Sequence, residues 1–378
     1  MRFFLIAGEA SGDQHAANLI RALQQRHAES RFAGLGGECM RKAGCLIVQD
    51  YKNMAFMGVA AVLAHLGEVR RNFRIARTSL LHEKPDVLIL VDYPSFNLRM
   101  AAFCRKHLPG TRIVYYIPPK VWAWKTWRIH RIARLCDLVL GIFPFEPAFY
   151  ARYGHTCRYV GNPTLDNIRA REQEQTNARP RENLIALLPG SRRSEIEHCL
   201  PVMLEAARRA AQEKKEPGEE PPRIAVAAAP GIEDPFYNRW LDGETLTRDT
   251  YELVSRARSA VVNSGTATLE TALLGCPQTA VYHVACSKWL GWLKPLIFST
   301  RFFTLVNIIP DKEVIQELVG PRFSRRNIED ELRRLTDDTA YRQRMQENYA
   351  VIRRQLGEQN AADQAAEAIC SLSSQTNQ

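Results

Sequence analysis

The sequence lacks several patterns that would assign it quickly to a class of protein. No uninterrupted apolar run reaches the roughly 18 residues that a membrane-spanning helix needs. The nine cysteines form no C-x-x-C pair, which argues against a zinc or thioredoxin-like motif and suits reduced thiols in the cytosol. The loop at residues 8–13 lacks the G-x-G-x-x-G spacing of a dinucleotide fingerprint. No Asp-x-Asp pair is present for a metal, so we expect neither a metal nor a cofactor.

Length, composition and charge indicate a globular protein with an anionic partner. At 378 residues the chain exceeds one ordinary core, so two domains are expected. Hydrophobic residues make up 46% of the chain and charged residues 24%, which is typical of a folded protein. The net charge of +10 favours nucleic acid, acidic lipid or a phosphorylated substrate as the partner.

The first half alternates apolar strands with helices, as a doubly wound α/β domain does. Predicted strands at residues 3–7 and 87–91 are followed by Glu9 and Asp92. Open α/β sheets bind ligands at the carboxyl ends of their strands, so both carboxylates are expected in a cleft. Asp92 is the candidate general base, although an Asp before a proline is often only a turn former. Glu9 is explained equally well as a carboxylate that stabilises a helix start.

Residues 54–77 combine a broad apolar face with arginines. An apolar helix that leads into a basic stripe is typical of a segment lying on an anionic bilayer. A core helix followed by a solvated helix gives the same pattern and is the commoner case. The candidate membrane contacts are Val62, Leu63, Leu66, Val69, Arg70 and Arg74.

Near the middle of the chain, a strand-to-helix turn is suited to an anion. Residues 184–188 form a predicted buried strand, and a capping box of Ser194 and Glu197 begins the next helix. Free N–H groups and the helix dipole favour a phosphate in this turn, although an ordinary turn with a solvated arginine gives the same pattern. The candidate phosphate ligands are Gly190, Ser191 and Arg192.

A second turn of this kind follows the predicted strand at residues 260–262. Ser264, Gly265 and Thr266 offer N–H and hydroxyl donors at a helix start. Glu270, one helical turn later, could accept hydrogen bonds from two sugar hydroxyls. A surface glutamate in a favourable first turn is the alternative.

Residues 120–134 contain three tryptophans among lysines and arginines. Such residues stack on nucleic-acid bases, lie at a lipid interface or fill a core. A basic nucleic-acid-binding protein is therefore the alternative from a different class. Because the α/β pattern extends over the whole chain, we expect no nucleic acid.

Taken in order, these motifs resemble the lipid-A-disaccharide synthase family. Single motifs are weak, whereas the ordered set is specific and covers nearly the whole chain. The residues that carry the resemblance are Gly8–Asp13, Met57-Gly58, Asp92-Tyr93-Pro94 with Phe96-Asn97, Val121–Trp124, Phe145-Glu146, Leu187–Arg192, Ser264–Glu270 and Asn307.

The resemblance implies an α/β fold with two Rossmann-like domains facing across a cleft, the GT-B glycosyltransferase architecture. We expect an N-terminal domain at residues 1–168, joined by helices from residues 345–378, and a C-terminal UDP-sugar domain at residues 169–344. The family also implies a homodimer that exchanges C-terminal helices. The expected location is cytoplasmic, peripheral on the inner face of the inner membrane.

The implied reaction is an inverting transfer from UDP-2,3-diacylglucosamine to 2,3-diacylglucosamine 1-phosphate, which gives a β-1,6-linked disaccharide 1-phosphate and UDP. By resemblance Asp92 is the base and Glu9 supports it, whereas Arg192, Glu270 and Asn307 hold UDP. Many relatives have a second acid where this chain has Ser95, which leaves Asp92 as the carboxylate of its loop. A UDP-sugar epimerase or an undecaprenyl-linked transferase is the nearest rival, because architecture alone does not separate them.

Overall fold

The computed structural model describes residues 1–53, 66–174, 180–212, 220–283 and 300–374. The chain forms two compact units: unit 1 comprises Met1–Pro163 with Glu358–Gln378, and unit 2 comprises Thr164–Gly357. The sequence-based boundaries differ by a few residues at 168/169, and by about one helix at 344/345. Among the described residues, no helix is both long and apolar enough to cross a membrane.

Unit 1 is built on a parallel sheet of seven strands. The strands are β1 (Arg2–Ala7), β2 (Arg31–Gly36), β3 (Leu46–Asp50), β4 (Val87–Val91), β5 (Arg112–Tyr116), β6 (Leu138–Gly141) and β7 (Arg158–Tyr159). Their order in the sheet is β3-β2-β1-β4-β5-β6-β7. Continuous apolar strands such as β4 are typical of a parallel sheet that helices cover on both faces. The order reverses between β1 and β4, and doubly wound sheets bind ligands at such a point.

Helices cover this sheet on both faces. They are α1 (Ala10–Arg26), α2 (Glu38–Lys42), α3 (Leu66–Glu83), α4 (Pro94–His107), α5 (Arg128–Leu135), α6 (Glu146–Ala151) and the last helix of the chain, α15 (Ala361–Ser374). The predicted apolar face of α1 is confirmed, because Ala17, Ile20 and Leu23 are fully buried. Helix α15 packs against α1 in the same hydrophobic core, so the end of the chain completes unit 1.

Unit 2 repeats the same arrangement with six parallel strands. The strands are β8 (Glu182–Leu188), β9 (Arg223–Ala227), β10 (Thr245–Thr247), β11 (Ala257–Asn263), β12 (Gln278–Tyr282) and β13 (Glu317–Val319), in the order β10-β9-β8-β11-β12-β13. The helices are α7 (Pro163–Glu174), α8 (Arg193–Gln212), α9 (Asp234–Asn238), α10 (Thr250–Arg256), α11 (Thr266–Leu273), α12 (Leu305–Ile308), α13 (Arg325–Asp337) and α14 (Thr339–Gln355). The order reverses between β8 and β11, which are the strands that precede the two predicted anion-binding turns.

The predicted capping box at the start of α8 is wrong in its residues. The carboxylate that caps this helix belongs to Glu195, whose Oε2 accepts the N–H groups of Ser191 at 3.0 Å and Arg192 at 3.3 Å. Glu197 instead pairs with Arg239 at 3.1 Å. The helix begins two residues earlier than a capping box at Ser194 implies, at Arg193, which places the Glu195 carboxylate near the open N–H groups.

Some of the candidate membrane contacts fall outside the described residues. Val62 and Leu63 lie in the gap at 54–65, and only the backbone of Leu66 is described. On α3, Val69 is half-buried and Arg70 and Arg74 are exposed.

Candidate functional site

Two carboxyl groups meet at the switch point of unit 1. Glu9 follows β1 and Asp92 follows β4, and these strands are neighbours in the sheet. Burial raises the pKa of Asp92 to about 6, and the charge of Glu9 and a hydrogen bond between the two side chains act in the same direction. Lys120 and the N–H of Tyr93 oppose the rise. A carboxylate with a pKa near the working pH is suited to accept a proton.

The backbone that carries Asp92 is strained and firmly held. Asp92 and Tyr93 both have φ of 45°, and Ile117 on the neighbouring loop has φ of 59°, which is rare for a β-branched residue. The carbonyl of Asp92 accepts hydrogen bonds from Asn97 Nδ2 at 2.7 Å and from the Tyr115 hydroxyl at 2.8 Å. Its N–H donates to the carbonyl of Ile117 at 3.2 Å. Strain of this kind persists only where the surroundings fix it, and it concentrates at functional sites.

A glycine is required next to this loop. The ring of Tyr93 lies against Gly8, where an added Cβ would stand 2.3 Å from the ring carbon Cγ. Any side chain at residue 8 would therefore displace Tyr93 and, with it, the adjoining Asp92. Glu9 is itself oriented by Ser11, whose hydroxyl donates to Oε1 at 2.8 Å.

Sequence reasoning missed two ionisable residues near the carboxyl pair. Lys120 lines a pocket that Asp92 also lines. Desolvation lowers the pKa of Lys120, while Asp92, Glu146 and Glu9 act in the opposite direction. Burial lowers the pKa of His15 to about 4, so its imidazole is neutral at pH 7. Lys120 could have been found by its place after Pro118-Pro119, at the end of the strand next to β4, whereas His15 carries no such signal.

Unit 2 contains an open pocket of about 870 Å³ at its own switch point. Seven of the eight predicted UDP-sugar ligands line it, namely Gly190, Ser191, Arg192, Ser264, Gly265, Thr266 and Glu270. The sequence did not indicate Arg171, Arg248 or Tyr251, which also line it. Those residues lie in helix α7 or around α10, separated along the chain from the glycine turns. No local sequence pattern therefore indicates that they share a pocket with those turns.

The carboxylate of Glu195 already occupies the first turn of this pocket. Besides the two N–H groups that it caps, Glu195 binds the guanidinium of Arg192, with Nη1 and Oε1 3.0 Å apart. Gly190 has φ of +124°, and a Cβ there would stand 2.7 Å from Asn263 Nδ2 and 2.8 Å from Glu195 Oε2. The turn therefore binds an anion already, and a ligand phosphate at the same donors has to displace Glu195.

The second turn has no side-chain cap, although the N–H of Ser264 donates to the carbonyl of Val281 at 2.7 Å. The cap position of α11 is Gly265, which has no side chain to accept from the first-turn N–H groups. Glu270 lies one turn further along, where burial raises its pKa and Arg171 lowers it. Within the described part of the chain, the Glu270 carboxylate accepts no hydrogen bond, so it is available to a ligand hydroxyl.

Asn307 is not brought together with the other candidates. Its side chain is fully buried and lines a different pocket of unit 2. The amide Nδ2 donates to Ile315 O at 2.9 Å and to Glu317 Oε1 at 3.0 Å. The oxygen accepts the N–H groups of Val314 and Ile315 at 2.7 and 3.0 Å. Asn307 therefore orders the chain before β13, and its amide has no free donor or acceptor to offer UDP.

Sequence comparison finds close relatives along the whole chain. A family model described as lipid-A-disaccharide synthetase matches residues 3–369. The chain is 35% identical to the lipid-A-disaccharide synthase of Myxococcus xanthus over 381 residues, which cover 98% of this chain and 97% of that protein. Identity to the lipid-A-disaccharide synthase of Trichlorobacter lovleyi is 36% over 99% of this chain and 98% of that protein.

Solved structures with the same architecture are more distant in sequence. The UDP-GlcNAc 2-epimerase of Neisseria meningitidis, bound to UDP-GlcNAc, matches with a TM-score of 0.56, 11% identity and 100% coverage of both chains. MurG of Acinetobacter baumannii matches with a TM-score of 0.56 and 16% identity over 98% of this chain and 99% of that chain. At such identities the likeness shows the fold alone. It confirms the predicted α/β architecture of two Rossmann-like domains, as in GT-B glycosyltransferases.

Among the described residues, no group of three or more His, Cys, Asp and Glu side chains is arranged to hold a metal ion.

The raised pKa of Asp92 predicts a pH-dependent effect of Asp92→Asn on stability. An aspartate has a pKa of about 4 when unfolded, so ionisation of Asp92 disfavours the folded state increasingly as the pH rises to about 6. The neutral amide avoids this cost and tolerates the left-handed backbone. We expect the variant to be more stable by about 2–3 kcal/mol at pH 8 and equal to the parent below pH 4. Thermal unfolding at both pH values measures the effect, and equal midpoints at pH 8 would contradict the burial of Asp92.

Proposed function

This chain belongs to the lipid-A-disaccharide synthase family, and we propose that it transfers 2,3-diacylglucosamine from UDP to 2,3-diacylglucosamine 1-phosphate. The enzyme is a glycosyltransferase of lipid A biosynthesis. The observation that carries the proposal is that each unit has chemistry suited to one half of this reaction at its switch point. Unit 1 has a carboxyl group with a raised pKa, and unit 2 has a pocket with two anion-binding turns.

The donor's diphosphate binds at the two turns of unit 2. The N–H groups of Ser191 and Arg192 and the guanidinium of Arg192 supply donors on one side. The uncapped start of α11 at Gly265 supplies the helix dipole on the other. Preorganised donors of this kind stabilise the charge that develops on UDP as it leaves.

Glu270 binds the ribose of the donor. Its carboxylate is desolvated and accepts no hydrogen bond from the described residues, and two neighbouring hydroxyls would satisfy both oxygens. A carboxylate that accepts from ribose hydroxyls recurs in nucleotide-binding Rossmann-like folds. Asn307 has no part in this proposal, because its amide is occupied within the chain.

Asp92 accepts the proton of the acceptor. The 6-hydroxyl oxygen attacks the anomeric carbon, the bond from that carbon to UDP breaks, and the proton passes to the Asp92 carboxylate. The configuration inverts, giving a β-1,6-linked disaccharide 1-phosphate and UDP. Glu9 raises the proton affinity of Asp92. It is also a second carboxylate beside Asp92. It comes from the loop after β1, whereas the segment after β4 has Ser95 where many relatives have an acid.

The family likeness also supports a homodimer and a peripheral location on the cytoplasmic face of the inner membrane. In the single chain, α15 packs against α1 of its own unit 1. For the membrane location, the support is a basic surface on α3 and α4. Its lining residues are Arg70, Phe73, Arg74, Arg77, Thr78, Leu81 and Arg99.

The reaction itself is tested with purified protein and both acylated substrates. We expect β-1,6-linked product and UDP in equal amounts, and no turnover of UDP-N-acetylglucosamine in place of the acylated donor. Asp92→Asn should lower kcat by about 10²- to 10⁴-fold while UDP affinity stays unchanged. Turnover of the unacylated donor would refute the lipid A assignment and favour the epimerase or transferase alternative. Normal kcat in the variant would remove Asp92 from the chemistry.

The anion turn predicts opposite effects of two neighbouring substitutions on UDP affinity. Arg192→Ala removes a donor to the diphosphate and should weaken UDP binding about tenfold or more. Glu195→Gln removes the competing charge and should tighten UDP binding about threefold to tenfold. Isothermal calorimetry measures both.

Glu197→Gln is the matched control, because Glu197 lies on the same helix and pairs with Arg239 outside the pocket. Its UDP affinity should equal that of the parent. If Glu195→Gln weakened binding as Arg192→Ala does, Glu195 would be part of the binding machinery rather than a competitor.

The membrane proposal predicts charge-dependent binding to lipid vesicles. Arg70 and Arg74 are exposed, and no carboxylate of the described residues pairs with either of them. Arg70→Glu with Arg74→Glu should reduce co-sedimentation with phosphatidylglycerol-containing vesicles. Arg152→Glu, a reversal at another exposed arginine of unit 1, should leave it unchanged. Equal co-sedimentation of all three proteins would contradict a role for this surface.

A further inference from the structure

Two exposed tryptophans lie beside the carboxyl pair of unit 1. The side chains of Trp124 and Trp127 are 45% and 61% exposed, respectively. A protein rarely leaves two such rings exposed within four residues unless something covers them. With Lys120 and Arg128 they form a surface that we call the tryptophan platform.

The loop that carries the platform is held in place by the contacts of the buried Trp122. Trp122 is buried, and its ring meets Phe143 and Phe145 edge-on at centroid distances of 5.8 and 5.1 Å. Its Nε1 donates to Glu146 Oε1 at 3.2 Å, and Glu146 also accepts the N–H groups of Ile142 and Phe143. The platform is therefore preorganised for binding.

Cations border the exposed rings. Lys125 Nζ lies 4.2 Å from the ring centroid of Trp124. The guanidinium carbon of Arg128 lies 5.9 Å from Trp124 and 5.7 Å from Trp127. No carboxylate of the described residues forms an ion pair with Arg128, so its guanidinium is free to bind an anion.

The platform shares one pocket with the proposed base. A cavity of about 190 Å³ is lined by Asp92 together with Lys120, Trp124 and Arg128. The pocket thus combines a proton acceptor, cations and an aromatic face. A polyanion along this surface would meet the acidic groups of Asp92 and Glu9, whereas a small ligand with one anionic group suits the combination better.

We propose that Arg128 and Lys120 bind the phosphate of the acceptor sugar, and that Trp124 packs against its ring. The inference rests on the proposed function, in which Asp92 takes the proton of the 6-hydroxyl. That hydroxyl and the anomeric phosphate lie across one sugar ring from each other, so the groups that bind them have to be about one ring apart. Arg128 and Lys120 are thereby specificity determinants for a phosphorylated acceptor.

The test compares the acceptor with and without its anomeric phosphate, presented in detergent micelles. Arg128→Ala should lower kcat/KM about 10- to 100-fold for the phosphorylated acceptor and leave that for 2,3-diacylglucosamine nearly unchanged. Arg128→Lys, which keeps the charge, should recover part of the loss. Arg134→Ala, at an exposed arginine of the same helix that does not line the pocket, should match the parent with both acceptors.

The remaining outcomes would overturn either the phosphate site or the proposed function. An equal loss with both acceptors, or no loss with either, would overturn the phosphate site. A loss seen only when the acceptor is presented in vesicles would make the platform a bilayer contact and also overturn it. UDP affinity equal to that of the parent shows that the variant is folded. If the parent protein used neither acceptor, the proposed function itself would fail, and this result does not depend on Arg128.

Discussion

The placement of two carboxyl groups side by side, at the ends of two neighbouring parallel strands, is the constraint on which the rest of unit 1 depends. Burial and Glu9 both raise the proton affinity of Asp92, which disfavours the folded protein at neutral pH. The loop also has unfavourable backbone conformations at Asp92 and Tyr93. Hydrogen bonds from Asn97 and Tyr115 hold it there. The surrounding core stabilises an arrangement that the loop alone would not adopt, as expected where a reactive group is kept ready.

Unit 2 has the same strand order as unit 1, but its site favours an anionic ligand. Its switch point presents N–H groups, a helix start and arginines, alongside the carboxylates of Glu195 and Glu270. Glu195 satisfies part of this positive potential. The two sheets therefore illustrate how one topology serves two tasks: the strands fix where a site lies, and the first residues of each loop fix what it binds.

Much of this arrangement could be predicted from the sequence, because it follows from local patterns. Apolar runs identified the central strands, and residues directly after them, such as Asp92 and Ser264, had to lie at the carboxyl edge of a sheet. The resemblance to a family located the same residues independently. Local patterns fail where a residue's role depends on distant partners. Lys120 approaches Asp92 only because β5 pairs with β4.

The wrong capping-box prediction and the internal hydrogen bonds of Asn307 have the same physical origin. Ser194 and Glu197 fit a capping box by spacing, but a shift of two residues in the helix start gave the capping role to Glu195. Asn307 belongs to the motif set, yet its amide is fully occupied by the backbone before β13 and by Glu317. Hydrogen-bond partners of buried side chains depend on the tertiary fold, which sequence spacing does not encode.

The central claim is that Glu9 and burial together raise the proton affinity of Asp92. Carbon-13 NMR of aspartate side chains, titrated in the parent and in Glu9→Gln with Asp92→Asn used for assignment, measures it directly. The account predicts that the Asp92 carboxyl of the parent titrates near pH 6, and that Glu9→Gln moves its midpoint to lower pH. A midpoint near pH 4 in the parent, unchanged by Glu9→Gln, would contradict it.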